Sequence, residues 1–205
     1  MTTTNTINGG GTNDRLNGTT ANDRIRGRRG NDLIEGRDGN DELFGNGGRD
    51  TILGGNGNDL LNGGGGSDSL NGNSGDDTLM GGKGNDFLSG QVGRDLLEGG
   101  KGVDELRGGD NNDTLIGGPG VDFLFGGSNA DDFVLTQGEG LDIIEDFELA
   151  MGDTIVLDGI SFSDVLVEDT GFGDAIISFD GEDLALVKGV GAADLTSDKF
   201  ETTGV

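Results

Sequence analysis

Fourteen aspartates recur along this chain at intervals of nine residues: Asp14, Asp23, Asp32, Asp41, Asp50, Asp59, Asp68, Asp77, Asp86, Asp95, Asp104, Asp113, Asp122 and Asp131. Carboxylates in a regular array are hard oxygen donors, suited to a hard divalent cation such as calcium, which takes about six to eight oxygen ligands. Other chemistry is poorly provided for. With no His and no Cys among 205 residues, there is no His general base, HExxH zinc site, Ser-His-Asp triad or thiol nucleophile. A GxSxG elbow and a phosphate loop ending in Gly-Lys-Ser/Thr are also missing. Adjacent acids such as Asp76-Asp77, Asp131-Asp132 and Glu145-Asp146 have the residue types of a glycosidase pair. Beside a metal-binding turn they serve better as ligands or solvated charge, and the chain is expected not to be an enzyme.

The aspartates occupy the sixth place of a nine-residue unit that runs fourteen times through residues 9–134 without insertion or deletion. Gly54 to Asn62, GGNGNDLLN, shows the frame Gly-Gly-x-Gly-x-Asp-x-U-x, where U is a large apolar residue. Position one is Gly in every unit. Position eight is always apolar: Leu16, Ile25, Ile34, Leu43, Ile52, Leu61, Leu70, Leu79, Leu88, Leu97, Leu106, Leu115, Leu124 and Phe133. Position four is Gly in ten units, at Gly30, Gly39, Gly48, Gly57, Gly66, Gly75, Gly84, Gly93, Gly102 and Gly120, and departs at Thr12, Ala21, Asn111 and Asn129.

Glycines at one, often two, and four let the first six residues curl tightly and turn their carbonyls inward. The last three residues then make a very short strand, with position eight facing in and positions seven and nine facing out. Asn111 and Asn129 substitute well for glycine in a left-handed conformation, whereas Thr12 and Ala21 do not. The first two turns are therefore expected to be frayed or weakly liganded.

This frame resembles the haemolysin-type calcium-binding repeat, the RTX nonapeptide, over about three-fifths of the chain. The resemblance implies an all-β fold: a right-handed parallel β-roll, a calcium-bound solenoid in which one unit makes half a coil and units n and n+2 stack. It places each Ca2+ between two stacked turns, bound by both Asp carboxylates and by turn carbonyls, here those of the ten position-four glycines. Fourteen units in two columns of seven leave room for up to 12 such ions. It further implies a secreted, extracellular or cell-surface protein exported by type I secretion machinery through an uncleaved C-terminal signal.

Electrostatics favours the same arrangement. Stacked aspartates would stand about 4.8 Å apart, where two charges repel by about 1 kcal/mol in bulk water and several-fold more when partly desolvated. The chain carries a net charge of −26, which 12 calcium ions, bringing +24, would nearly cancel. Residues 9–134 hold 22 acidic and 11 basic residues and residues 135–205 hold 17 and 2, so the tail is the more acidic part. Such a chain is a poor candidate for binding nucleic acid or an anionic membrane surface. With 45 glycines, 31% hydrophobic residues and no Cys to form disulfides, the metal-free chain is expected to be an acidic coil, metal supplying the missing folding free energy.

The opening residues 1–8, MTTTNTIN, have neither a basic n-region nor an apolar h-region and are read as a leader segment, not a signal peptide. No apolar run is long enough to span a bilayer. Arg15, Arg24, Arg26, Arg28, Arg29 and Arg37 give the early units a basic cast, read as solvated arginines near acidic turns more readily than as an anionic-surface or polysaccharide contact. Leu53, Leu60, Met80, Phe87, Leu96, Ile116, Phe123 and Phe125 fall at outward positions, and the C-terminal segment is expected to cover them in preference to a partner protein. Beyond Val134, Gln137 to Glu145 recovers the frame as a degenerate fifteenth unit after a two-residue insertion, with Asp142 closing a last site under Asp122. Gly152-Asp153 is too short for the motif. Strands are expected at 154–157, 165–167, 175–179 and 184–187, and a short closing helix over 193–200. Residues 135–205 thus read as a β-rich cap ending in an export signal. The leading function is a non-enzymatic calcium-binding module with a structural or surface role. Alternatives are an adhesion or ligand-binding roll for polysaccharide or ice, although position three carries no regular Thr rank, and the folding and export part of an enzyme or toxin whose catalytic domain lies elsewhere.

Overall fold

The computed structural model describes residues 5–203. Each glycine turn reverses the chain, so successive units alternate between two sheets and residue i comes to stand beside residue i+18. In the first sheet Leu43, Leu61 and Leu79 are register partners. In the second, Ile52, Leu70 and Leu88 are. The expected n, n+2 stacking therefore holds through the array, whose strands pair in parallel within sheets of ten and eleven strands. Position eight is fully buried from Ile25 to Phe133. Each such side chain stabilises the roll by about 1.5–3 kcal/mol relative to its exposed state.

The regular strands have six residues, not three. Leu60–Gly65 starts at position seven and continues through the glycine-rich first three positions of the next unit. Its burial alternates across that boundary, Leu61 and Gly63 facing in and Leu60, Asn62 and Gly64 lying half-buried. Position one is thus an interior position, and its missing side chain conceals the alternation from a hydropathy pattern.

Both sheets run on past the array. Asp142–Ile144 pairs with the second sheet, Ile144 opposite Leu124, so the two-residue insertion is absorbed without loss of register. Thr154–Asp158 pairs with the first, Ile155 opposite Phe133. The second sheet then gains Glu182–Val187 in parallel, followed by Ala175–Phe179 and Val165–Asp169 antiparallel. Phe200–Thr203 ends the first sheet.

Two further expectations are corrected. The closing helix over 193–200 does not form: a single 3-10 turn, Ser197–Lys199, leads directly into the strand Phe200–Thr203. The strand makes Phe200 the last rung of the core opposite Ile155, with its ring 4.7 Å from that of Phe162, and this burial outweighs one or two turns of helix. The C-terminal segment does not cover the outward apolar residues either, because it extends the sheets end-on, and Phe87 and Leu96 remain 36% and 37% exposed. Part of the cover comes instead from Arg107, whose guanidinium lies 4.9 Å from the ring centre of Phe125 and 5.8 Å from that of Phe87. Asn5–Asn8, within the segment read as a leader, is a strand of the first sheet with Ile7 opposite Ile25. Residues 1–4 of that segment and 204–205 of the expected export signal lie outside the described residues. Among the described residues no helix is long and apolar enough to cross a membrane.

Candidate metal centre

Stacking sorts the aspartates into two columns, one from Asp14 to Asp122 and one from Asp23 to Asp131. Each backbone amide donates to Oδ1 of the aspartate eighteen residues later, at 2.7–2.9 Å from Asp14 to Asp131. From Asp23 onward these residues are at most 3% exposed. Their second oxygen is another matter: Oδ2 of each aspartate from Asp32 to Asp131 is buried with no hydrogen-bond partner. None of the five ion pairs among the described residues involves a column aspartate. A buried, unpaired carboxylate oxygen is costly, and a whole file of them is sustained only by cations or protons.

The glycines divide into two kinds. From the third unit on, the backbone has positive φ at position two and, except at Gly120, at position four, as at Gly55 (122°) and Gly57 (120°). Position one does not, and glycine is required there for space. A Cβ on Gly54 would stand 2.5 Å from Oδ2 of Asp59 and 2.7 Å from the carbonyl oxygen of Gly72 in the next coil. The unpartnered carboxylate oxygen therefore adjoins position-one carbonyls. The position-four carbonyls named from the sequence lie against the next coil's position-four glycine, as Gly39 O does against Gly57.

Burial is the main influence on these carboxyls, raising Asp59 to about 7 and Asp113 to about 8. The amide of the preceding aspartate opposes the shift in each case, and charge on neighbouring column members adds to it. Asp50, Asp68, Asp86 and Asp104 are raised to about 6 by the same burial. Burial without metal thus favours the protonated form of these carboxyls, most strongly at Asp59 and Asp113. Among the described residues no three acidic side chains converge as a metal-binding group, so any ion must combine carboxylates from stacked coils with backbone carbonyls. That all-oxygen donor set, with its orphaned anionic oxygens, fits a hard divalent cation.

The first two turns depart from this pattern, in line with Thr12 and Ala21. Oδ2 of Asp14 accepts from the Gly10 amide, and Oδ2 of Asp23 from the amide and hydroxyl of Thr19. Both strands that follow are nevertheless paired in register. Asn111 and Asn129 adopt φ of 85° in glycine's place. At the other end Asp142 stands in the column of Asp122, its Oδ1 unpartnered and 2.8 Å from the Cβ position of Gly117, with Oδ2 of Asp122 2.7 Å from the same position. Burial raises Asp142 to about 8, followed by the charge of Asp122.

Two features escaped the sequence reading. Position five carries a second ladder in which a side-chain oxygen accepts the amide eighteen residues on, as from Asn13 to Asn31, Asn31 to Arg49 and Asn40 to Asn58. The recurrence of Asn at that position was its only signal. The other is Asp153, whose Oδ1 accepts from the Asp131 amide at 3.1 Å.

A profile of the RTX calcium-binding nonapeptide repeat (4 copies) matches at residues 8–43, 35–70, 44–79, 71–106, 98–133 and 107–144. The chain belongs to this family. RTX repeats bind calcium, in keeping with the oxygen columns. No curated protein matches the chain. Among solved structures, extracellular lipase LipA from Serratia marcescens aligns at 18% identity and TM-score 0.36, over 98% of this chain and 40% of the lipase. The AlgE6R3 subunit of the Azotobacter vinelandii mannuronan C5-epimerase aligns at 25% identity and TM-score 0.39, over 69% of this chain and 78% of that one. This RTX chain thus spans well under half of the lipase's length.

Proposed function

We propose that this RTX chain is a secreted, non-enzymatic calcium-binding module that folds as its aspartate columns fill with Ca2+ and then serves a structural or cell-surface role. The observation that carries this reading is the file of buried Oδ2 atoms without partners, one per unit from Asp32 to Asp131. Each ion would sit between stacked coils, taking carboxylate oxygen from the column and carbonyl oxygen from the glycine turns, and would supply positive charge where no basic side chain reaches. The core is a single file per sheet, too thin to hold these carboxylates buried and ionised without metal. Folding is then coupled to calcium concentration, and high external calcium would trigger it after export.

The test is far-UV circular dichroism during a calcium titration, ended with excess chelator. A cooperative coil-to-β transition between submillimolar and millimolar calcium, reversed by chelator, is expected. Full β-structure in chelator at neutral pH would overturn metal-driven folding.

A further inference from the structure

The repeat profile ends at residue 144, but the column containing Asp131 continues. Asp153, only 2% exposed, stands where the next unit's aspartate would be, its Oδ1 accepting from the Asp131 amide across 22 residues of sequence and its Oδ2 from the Glu148 amide at 2.7 Å. The coil it belongs to is closed in an unusual way. In the array the position-one amide bonds to a carbonyl of the following coil, as Gly9 does to Arg26 O and Gly18 to Glu35 O, both at 2.7 Å. At Gly126 that carbonyl is replaced by a carboxylate: the Gly126 amide donates to Oδ1 of Asp146 at 2.8 Å and the Gly127 amide to Oδ2 at 3.2 Å. Facing this place is Oδ2 of Asp131, a fully buried atom with no partner, 2.5 Å from where a Cβ on Gly126 would stand. The last gap of this column thus has the orphaned Oδ2 found in its gaps from Asp41 onward, with more negative charge around it.

We propose that Asp131 and Asp153, with the charge of Asp146 at the rim, hold a further calcium ion outside the nonapeptide motif together with backbone carbonyls, which ties the last coil of the array to the C-terminal strands. The inference rests on the reading of the columns as calcium-binding and adds a site that the repeat frame does not contain. A purely structural account, in which Asp146 only caps two amides, leaves the buried Oδ2 of Asp131 without a partner and under the charge of Asp153 and Asp146.

Native mass spectrometry of the full chain at saturating calcium, counting bound ions, decides the matter. Asp153→Asn and Asp146→Asn each keep an oxygen for one amide and should each bind one ion fewer than the parent, with the β-signal retained. Glu148→Gln, which changes an exposed acid nearby, should match the parent. Parent stoichiometry in both Asn variants overturns this site while leaving the column reading intact; a parent that binds no calcium overturns both. Should Asp153→Asn fail to fold, the half-buried Asp146 gives the answer alone: one ion fewer supports the site, an unchanged count refutes it.

Discussion

The amide of Asp59 donates to Oδ1 of Asp77 at 2.8 Å, while Oδ2 of Asp59 itself is buried with no partner. Each column carboxylate from Asp32 to Asp131 is therefore divided, one oxygen bound to the backbone of the preceding coil and the other left to a cation. The two halves can be separated by mutation.

Asp59→Asn keeps an acceptor for the Asp41 amide but removes the charge, whereas Asp59→Ala removes both. The Asn variant should fold only at higher calcium and bind one or two ions fewer. The Ala variant should shift the calcium midpoint further, because an orphaned buried amide costs about 1–3 kcal/mol. Ion counts and titration midpoints measure both effects, and an unchanged count would refute sharing of Asp59 between adjacent gaps.

Protonation should substitute in part for metal. The carboxyls of Asp50, Asp59 and Asp113 are raised to about 6, 7 and 8 in the folded chain, mainly by burial, against about 3.9 for an unfolded aspartate. A group raised in this way stabilises the metal-free fold fully below pH ~4, and that contribution is lost as pH rises through about 6 to 8. In chelator, β-structure should therefore grow on acidification from pH 8 to 5, while the calcium midpoint rises as protons compete for the same oxygens. Circular dichroism at several pH values with and without chelator checks both trends.

Position-two and position-four backbone conformations predict opposite results from two glycine exchanges. Gly48 has φ of 126°, and a Cβ there would stand 1.9 Å from the carbonyl oxygen of Gly30. Gly48→Ala should cost at least about 1–3 kcal/mol and raise the calcium midpoint. Gln91 adopts φ of 76° at position two, where most later units have glycine, so Gln91→Gly should stabilise the roll by about 1 kcal/mol. Thermal unfolding in excess calcium reads both.

Leu60 and Leu61 separate face from core. Leu61 is fully buried and its neighbour only half so, so Leu61→Ala should destabilise by about 2–5 kcal/mol and Leu60→Ala by markedly less. Equal losses in thermal stability would contradict the alternation.

The period of nine made positions one, six and eight legible from sequence, and with them the stacking of Leu43, Leu61 and Leu79. Features that depend on atoms absent from the pattern were not legible. Gly63 gives no hydrophobic signal, so the continuation of its strand was missed. Asp153 follows irregular insertions and matches no frame, although it occupies a column place in space. Phe200 shows that an apolar residue at the end of a helix-compatible stretch goes wherever the core needs a last rung. The strand at Asn5–Asn8 was hidden because one apolar residue, Ile7, is all that a roll strand requires.

Because one coil consists of two units, the array has a parity. Removing eighteen residues from its middle would shorten the roll by one coil, about 4.8 Å, and leave every later side chain on its original sheet. Removing nine would join the downstream units to the opposite sheets of the upstream ones, while Asp142 would still stack on Asp122 and Asp153 on Asp131, because each pair lies on the same side of the cut. Length in this fold is thus adjustable by single units without disturbing the cap, and an odd change only turns one end of the roll by half a coil relative to the other.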